Sequence, residues 1–249
     1  MLANHEGDLA AALGASEGVV CLVGAGGKKT TMYALAAIHG GRVALSSTAH
    51  MYRYDTECVD QVMTVAGEGD NRPGDGRVVA FAGPTDTAER VGGLTTEQLS
   101  AIWRSGRFSL LLIKADGARA RWIKAPAAYE PLIPAFADTV IPVISARVIG
   151  RTLSSGIAHR GELVADVVGA TLDEPLRPEH LARLLSSERG ALQKVGDSLV
   201  VPLINMVDDE PTRRRAEAVA QAALAATTRF DRVVLASMRK RQLIDVVTR

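Results

Sequence analysis

Short apolar runs alternate along the chain with longer segments in which apolar residues recur at helical spacing. The apolar runs are bounded by glycine, proline or polar residues, which is typical of strands buried on both faces of a sheet. The runs that we predict as strands are 19–23, 42–45, 78–81, 109–113, 140–144, 199–204 and 231–236. The segments that we predict as helices are 30–38, 95–104, 162–169, 179–185 and 211–226.

This alternation predicts an α/β fold with a mostly parallel sheet covered by helices on both faces, because parallel strands need crossover connections that are usually helical. We expect residues 1–249 to form a single α/β domain. Four prolines between residues 126 and 142 argue against long regular elements there. Residues 67–76 contain several glycines and predict a mobile loop.

Charge and composition exclude several classes of function. The chain has 29 basic and 28 acidic side chains and a net charge of +1, which gives no electrostatic reason to expect a nucleic-acid partner. We see neither a signal peptide nor an apolar run of the roughly 20 residues that cross a bilayer, so we expect no membrane contact and a cytoplasmic location. Cys21 and Cys58 stand apart, which disfavours a zinc site.

A glycine-rich turn joins the first predicted strand to the first predicted helix. Backbone N–H groups in such a turn approach a phosphate, a lysine reaches the terminal phosphates, and a threonine hydroxyl binds Mg²⁺. We therefore predict ATP or GTP with Mg²⁺ as ligands, and a P-loop NTPase-like fold. The residues predicted to bind the nucleotide phosphates are Gly24, Ala25, Gly26, Gly27, Lys28, Lys29, Thr30 and Thr31.

The turn is shorter than the G-x-x-x-x-G-K-[ST] pattern, because Leu22 stands where that pattern begins and Gly24 lies only four residues before Lys28. Because two lysines are adjacent, the sequence does not decide which of them takes the place of the phosphate-binding lysine. Lys28 follows a glycine, whereas Lys29 is followed directly by Thr30. The alternative is an ordinary turn with two solvated lysines.

Several segments together resemble the YqeC-like family, described as selenium-dependent molybdenum hydroxylase accessory proteins. The segments are the turn Val-Gly-Ala-Gly-Gly-Lys at 23–28, Ala-Asp-Gly-Ala-Arg at 115–119, Lys-Ala-Pro at 124–126, His-Arg at 159–160 and Leu-Ile-Asn-Met-Val-Asp at 203–208. The resemblance implies a P-loop-type nucleotide-binding fold and a part in maturing a selenium-containing molybdenum hydroxylase, with that enzyme or a cofactor-maturation protein as partner.

The chain departs from the family pattern at three positions. Lys29 lies between the glycine turn and the threonines, and Lys114 occupies the position where an acidic residue often precedes Ala-Asp-Gly. Both departures weaken the expectation that these segments coordinate a metal ion. Met206 replaces the lysine of an Asn-Lys-x-Asp-like segment, which weakens guanine selectivity. Asn205 and Asp208 keep two polar positions of such a base-reading segment.

Polar residues that follow the predicted strands supply the catalytic candidates. Asp116 lies beyond a buried strand, at the edge of the sheet where ligands bind, so it is predicted to hold Mg²⁺ together with Thr30 or to accept a substrate proton. The alternative is that Asp116 only forms a turn with the glycine after it. Thr48 and His50 follow the second strand and are predicted to face the same edge, where Thr48 binds a substrate and His50 contacts the substrate or the γ-phosphate; a surface loop histidine is the alternative for His50.

Positive charges after Asp116 are candidates for binding an anionic second substrate. Arg119, Arg121 and Lys124 are predicted to neutralise it, and solvated loop charges are the alternative. His159 is predicted to transfer a proton and Arg160 to bind phosphate, although either residue is also compatible with a structural role.

Two functions remain open from the sequence. The first is an NTP-dependent hydrolase or phosphotransferase in cofactor maturation. The second is a non-catalytic accessory protein whose bound nucleotide switches its affinity for a hydroxylase. The Gly-x-x-Gly-Lys turn also occurs in amino-acid-adding ligases, but those enzymes carry further substrate domains for which this chain has little room.

Overall fold

A computed structural model describes residues 5–67 and 76–249, so most of the loop predicted at 67–76 lies outside the described residues. The α-helices are α1 (His5–Ala12), α2 (Lys28–Ile38), α3 (Thr96–Arg104), α4 (Gly161–Val168), α5 (Pro178–Ser186) and α6 (Glu210–Ala226). The strands are β1 (Gly18–Gly24), β2 (Val43–Ser47), β3 (Met51–Tyr52), β4 (Gln61–Thr64), β5 (Val78–Ala82), β6 (Arg90–Val91), β7 (Leu110–Lys114), β8 (Ile123–Lys124), β9 (Thr139–Ser145), β10 (Ala158–His159), β11 (Leu199–Val200), β12 (Leu203–Asn205), β13 (Arg232–Ser237) and β14 (Gln242–Thr248).

One large sheet organises the described chain. Its strand order is β14-β13-β12-β9-β1-β7-β2-β5-β4, and β11 also pairs with β9. The pairs are parallel except for β13 and β14, which are antiparallel. Two small pairs, β8 with β10 and β3 with β6, lie outside it. Strand β1 therefore sits in the middle, with β9 on one side and β7 on the other.

Helices cover both faces of this sheet, as predicted. Val19, Cys21 and Val23 of β1 pack in a core cluster that contains residues of α3, α4, α5 and α6. Val20 and Leu22 point to the other face and pack with residues of α1 and α2. Because successive side chains of a strand alternate between faces, a strand buried on both sides must be apolar throughout. The fold is α/β and consistent with a P-loop NTPase-like arrangement.

The predicted elements are present, with changes at their ends. Helix α2 begins at Lys28 rather than at residue 30. The predicted strand at 199–204 is divided at Pro202 into β11 and β12, whereas β9 runs through Pro142 without a break. Helix α3 begins at Thr96 rather than at residue 95, because Thr95 caps it in a capping box with Gln98. No helix within the described ranges is long and apolar enough to cross a membrane. The single domain predicted for 1–249 stays a prediction.

Candidate functional site

The glycine turn, residues 24–27, begins at the last residue of β1 and lies directly against β9. Gly24, Gly26 and Gly27 have φ angles of 85°, 102° and 114°, in the left-handed region that favours glycine. A Cβ atom on Gly24 would lie 2.5 Å from the carbonyl oxygen of Val143, and one on Gly26 would lie 2.5 Å from the backbone nitrogen of Ser145. The close approach to β9 therefore requires glycine at both positions.

Most N–H groups of the glycine turn already have partners. Gly24 N–H donates to Asp116 Oδ2 at 2.9 Å. Ala25 N–H donates to the carbonyl oxygen of Val143 at 2.8 Å, and Gly26 N–H donates to that of Arg121 at 3.2 Å. The first N–H groups of an α-helix have no intrahelical acceptor. An anion at this site would therefore bind to the start of α2 more than to the turn before it.

The two lysines at the start of α2 point in different directions. Lys28 is only 5% exposed, and its Nζ lies 2.9 Å from Asp116 Oδ1 and also donates to the carbonyl oxygen of Gly24. Burial lowers the pKa of Lys28, and the Asp116 carboxylate opposes that shift. Lys29 instead donates to the carbonyl oxygen of Arg53. Lys28 is therefore fixed against the glycine turn, while Lys29 bridges α2 to the segment that follows β3.

Asp116 lies behind the glycine turn. It is 2% exposed, and its Oδ2 lies 3.1 Å from Lys124 Nζ in addition to accepting the Gly24 N–H. Its carboxylate thus binds two ammonium groups and one backbone donor. This arrangement holds Lys28 and the turn in place. The proton-accepting and metal-binding roles predicted for Asp116 stay predictions.

A second carboxylate extends this network towards Arg160. Glu130 Oε2 lies 2.7 Å from Lys124 Nζ and 2.6 Å from Arg160 NH1. Burial acts to raise the pKa of Glu130, but its hydrogen bonds and ion pairs with Lys124 and Arg160 outweigh burial and lower the pKa to about 2. Arg160 NH2 also donates to the Tyr129 hydroxyl at 2.9 Å. Lys124 is therefore part of the buried support of the site.

A cleft of about 470 Å³ opens in front of α2 and collects many of the predicted residues. Its cationic and imidazole lining residues are Lys28, Lys29, Arg90, Lys114, Arg119, Arg121, Arg160, His50 and His159. Gly26, Gly27, Thr30 and Met206 also line it. No Asp or Glu is found among the described residues that line this cleft. The cleft is thus a concave, strongly cationic surface, which is suited to an anion with several charges.

Other predicted residues support the cleft without lining it. Asn205 Nδ2 donates to the carbonyl oxygen of Gly26 at 2.8 Å, and Asn205 Oδ1 accepts the Met238 N–H at 3.0 Å. Asp208 pairs with Arg147 at 2.8 Å. Both base-reading candidates are thus engaged with the protein itself, and their predicted role stays a prediction. The predicted residues that do not line the cleft are Gly24, Ala25, Thr31, Thr48, Asp116, Lys124, Asn205 and Asp208.

Similarity to known proteins places the chain in a family. The family model described as YqeC protein matches residues 20–162, more than half of the chain. A protein of Escherichia coli (strain K12) with the name "Uncharacterized protein YqeC" is 30% identical over 187 residues, and the match covers 71% of each chain. The chain belongs to the YqeC family. The matched residues include the glycine turn, Asp116 and the His159-Arg160 pair.

Two histidines of this YqeC family member face the cleft. His50 follows β2 and is exposed, and His159 ends β10. Burial lowers the pKa of His159, and the neighbouring charges of Arg160 and Lys124 lower it further. A neutral imidazole accepts a proton, so His159 has the state that a general base needs near neutral pH.

Sequence reasoning did not select Lys114 as a site residue, yet Lys114 lines the cleft. It ends β7, is 9% exposed, and its Nζ has no hydrogen-bond partner among the described residues. Burial, with the positive charge of Lys28, lowers the pKa of Lys114 to about 7. The sequence feature that could have identified Lys114 is its place as the last residue of an otherwise apolar strand. Arg90 was also missed, because it reaches the cleft only through the pairing of β3 with β6.

Magnesium was expected on Thr30 and Asp116. Thr30 is exposed at the cleft, but the Asp116 carboxylate faces Lys28 and Lys124. Within the described ranges, no group of three or more His, Cys, Asp or Glu side chains is placed to hold a metal ion. The described residues therefore do not fit a magnesium site built by the protein alone, because Mg²⁺ prefers carboxylate oxygens. Magnesium stays a prediction from the sequence.

Proposed function

We propose that this YqeC family member binds ATP or GTP, with the phosphates at the start of α2. The observation that carries the proposal is a cleft at which the glycine turn and the start of α2 meet. Seven Lys or Arg side chains line this cleft, and no Asp or Glu is found among its described lining residues. Helix N-termini attract anions through their free N–H groups and partial positive charge. A polyphosphate matches both the number and the sign of these charges.

The sheet order supports one orientation for the nucleotide. Met206 lines the cleft just after β12, on the β9 side of the glycine turn. Lys114 at the end of β7 and His50 after β2 line it on the other side. An apolar thioether suits a base, and cations suit phosphates. The base then lies towards Met206, and the phosphate chain runs from the turn towards β7 and β2.

The chemistry that we propose is phosphoryl transfer or nucleotide hydrolysis. His50 and His159 line the cleft and are the candidates for moving a proton to or from the attacking group. Arg119 and Arg160 line the same cleft and are the candidates for an anionic second substrate or for charge that develops during transfer. The proposed setting, maturation of a selenium-containing molybdenum hydroxylase, is supported by the family resemblance alone.

A nucleotide-controlled switch is the second candidate, and the bridging loop, residues 117–122, favours it. This loop closes over the glycine turn, because the Arg121 carbonyl accepts the Gly26 N–H at 3.2 Å. Arg119 and Ala120 within it have φ angles of 47° and 58°, which are unfavourable for residues other than glycine. A phosphate competing for the Gly26 N–H would release the loop and change the surface that a partner meets.

Binding and turnover measured together separate these functions. We expect calorimetric titration to show ATP or GTP binding, and Lys28→Ala to weaken it. Phosphate release is then followed with and without a purified molybdenum hydroxylase. Turnover that Lys28→Ala abolishes supports the enzyme, and binding without turnover in either condition supports the switch. Absence of binding to both nucleotides contradicts the proposed function.

A further inference from the structure

Three lysines, Lys28, Lys114 and Lys124, interact electrostatically with Asp116, and the carboxylate forms ion pairs with two of them. Lys28 Nζ lies 2.9 Å from Oδ1, and Lys124 Nζ lies 3.1 Å from Oδ2. The nearby Glu130 is paired with Lys124 and Arg160. Lys114 contributes to the same electrostatic cluster, yet its Nζ has no partner in the part of the chain that the structure describes.

The position of Lys114 is fixed by the sheet. Its backbone pairs with Leu22 of β1 and Ser47 of β2, and its carbonyl oxygen accepts the Ser47 hydroxyl at 2.8 Å. Lys114 is only 9% exposed, and it lines the cleft. A buried amine without a partner is unfavourable, so the fold gains nothing from this side chain in the free protein. The open cleft is the remaining direction from which a counter-ion can come.

We propose that Lys114 binds the terminal phosphate group of the nucleoside triphosphate, supplying the positive charge at the end of the phosphate chain. This inference rests on the proposed nucleotide binding and on the orientation with the base towards Met206. Strand β7 lies next to β1 on the side away from Met206, so Lys114 is reached only after the phosphates have passed the start of α2. We therefore expect a diphosphate bound in the same register to end before Lys114.

The test compares ATP with ADP in Lys114→Met, which keeps the length of an apolar stem and removes the amine. Titrations are made in EDTA, so that no metal ion contributes. We expect the affinity for ATP to fall about tenfold or more, as for the loss of a charge-assisted hydrogen bond, and the affinity for ADP to stay within about twofold. The melting temperature of Lys114→Met should not fall, because no partner is lost.

Arg90→Met is the matched control. Arg90 lines the same cleft, but its guanidinium lies 4.9 Å from the ring centroid of Tyr52, on the wall formed by β3 and β6. Removing this charge should change the affinities for ATP and ADP by the same factor. A selective loss of ATP in Lys114→Met, with equal changes in Arg90→Met, supports the proposal.

Other results overturn it in distinguishable ways. If the parent protein binds neither ATP nor ADP, the proposed function itself is wrong. If the parent binds both and Lys114→Met binds them unchanged, or loses both equally, Lys114 does not hold the terminal phosphate. Should Lys114→Met not fold, Lys114→Gln is measured in the same way. A fold that tolerates neither variant makes Lys114 structural and also overturns the proposal.

Discussion

Asp116 and Lys28 form a buried ion pair across the base of the glycine turn, with 2.9 Å between Oδ1 and Nζ and side-chain exposures of 1% and 4%. The pair joins the end of β7 to the start of α2. Lys124 Nζ shares the carboxylate at 3.1 Å and also pairs with Glu130, whereas the carboxylate that pairs with Lys28 is that of Asp116. Removing the charge of Asp116 therefore leaves the buried Lys28 without its carboxylate and leaves Lys124 with Glu130 alone.

Asp116→Asn should therefore lower the free energy of unfolding by about 3–5 kcal/mol, as when one partner of a buried pair is lost. Nucleotide binding should weaken to the same extent with and without Mg²⁺, because the variant disturbs Lys28 rather than a metal ligand. Denaturant unfolding and calorimetric titration measure the two effects. Asp208→Asn is the control, since Asp208 is partly exposed and its loss should cost no more than about 1 kcal/mol. Loss of binding only when Mg²⁺ is present would instead support Asp116 as a metal ligand.

The doubled lysine predicts unequal effects on binding. Lys28→Ala should weaken nucleotide binding by on the order of 2 kcal/mol, about thirtyfold, because Lys28 is held at the glycine turn beside the proposed phosphates. Lys29→Ala should weaken it less, since Lys29 Nζ is directed to the carbonyl oxygen of Arg53. Titrations of both variants with ATP, below their melting temperatures, make the comparison. Equal losses in the two variants would contradict this assignment.

The main architecture was readable from sequence because its strands are apolar throughout. Leu110–Lys114 reads as a buried strand since both of its faces meet helices, and the same pattern locates β1 and β9. Strand β14 was missed, because Gln242–Thr248 lies at the sheet edge, is half-buried and includes Asp245. Edge strands do not need an apolar sequence, so neither their periodicity nor their composition identifies them.

The sequence could predict those parts of the candidate site that lie near the ends of the predicted strands. The glycine turn, His50 and Asp116 each lie within a few residues of the end of a predicted strand, and parallel strands bring their ends to one edge. The sequence could not show that the Asp116 carboxylate pairs with Lys124 instead of facing the cleft. That contact depends on the path of residues 117–124, which brings Lys124 back to Asp116 and to the carbonyl oxygen of Gly117. Arg90 enters the cleft through an equally non-local pairing.

Stability should fall in acid through Glu130. Its pKa is lowered from 4.5 to about 2 in the folded protein, so its ion pairs stabilise the fold fully above pH 4.5 and lose that contribution as the pH falls towards 2. Denaturant unfolding at a series of pH values measures this slope. Glu130→Gln should be less stable than the parent at pH 6, and the difference should shrink as the pH approaches 2. The exposed Glu188→Gln serves as control, and a difference for Glu130→Gln that does not change with pH would contradict the assignment.

Discrimination between ATP and GTP should be modest. Selective reading of a base requires side chains whose hydrogen-bonding groups are free to meet it, and a site built for such bonds rejects the wrong ligand strongly. Asn205 uses its amide on the Gly26 carbonyl and its oxygen on the Met238 N–H, and Asp208 pairs with Arg147 and Ser237. Met206 is the residue of this segment that lines the cleft. A thioether contacts either purine without distinguishing their polar edges, so we expect the two affinities to lie within about tenfold. Equilibrium titration with both nucleotides measures the ratio. A thousandfold preference for GTP, roughly 4 kcal/mol, would show that Asn205 and Asp208 leave these contacts and read the base.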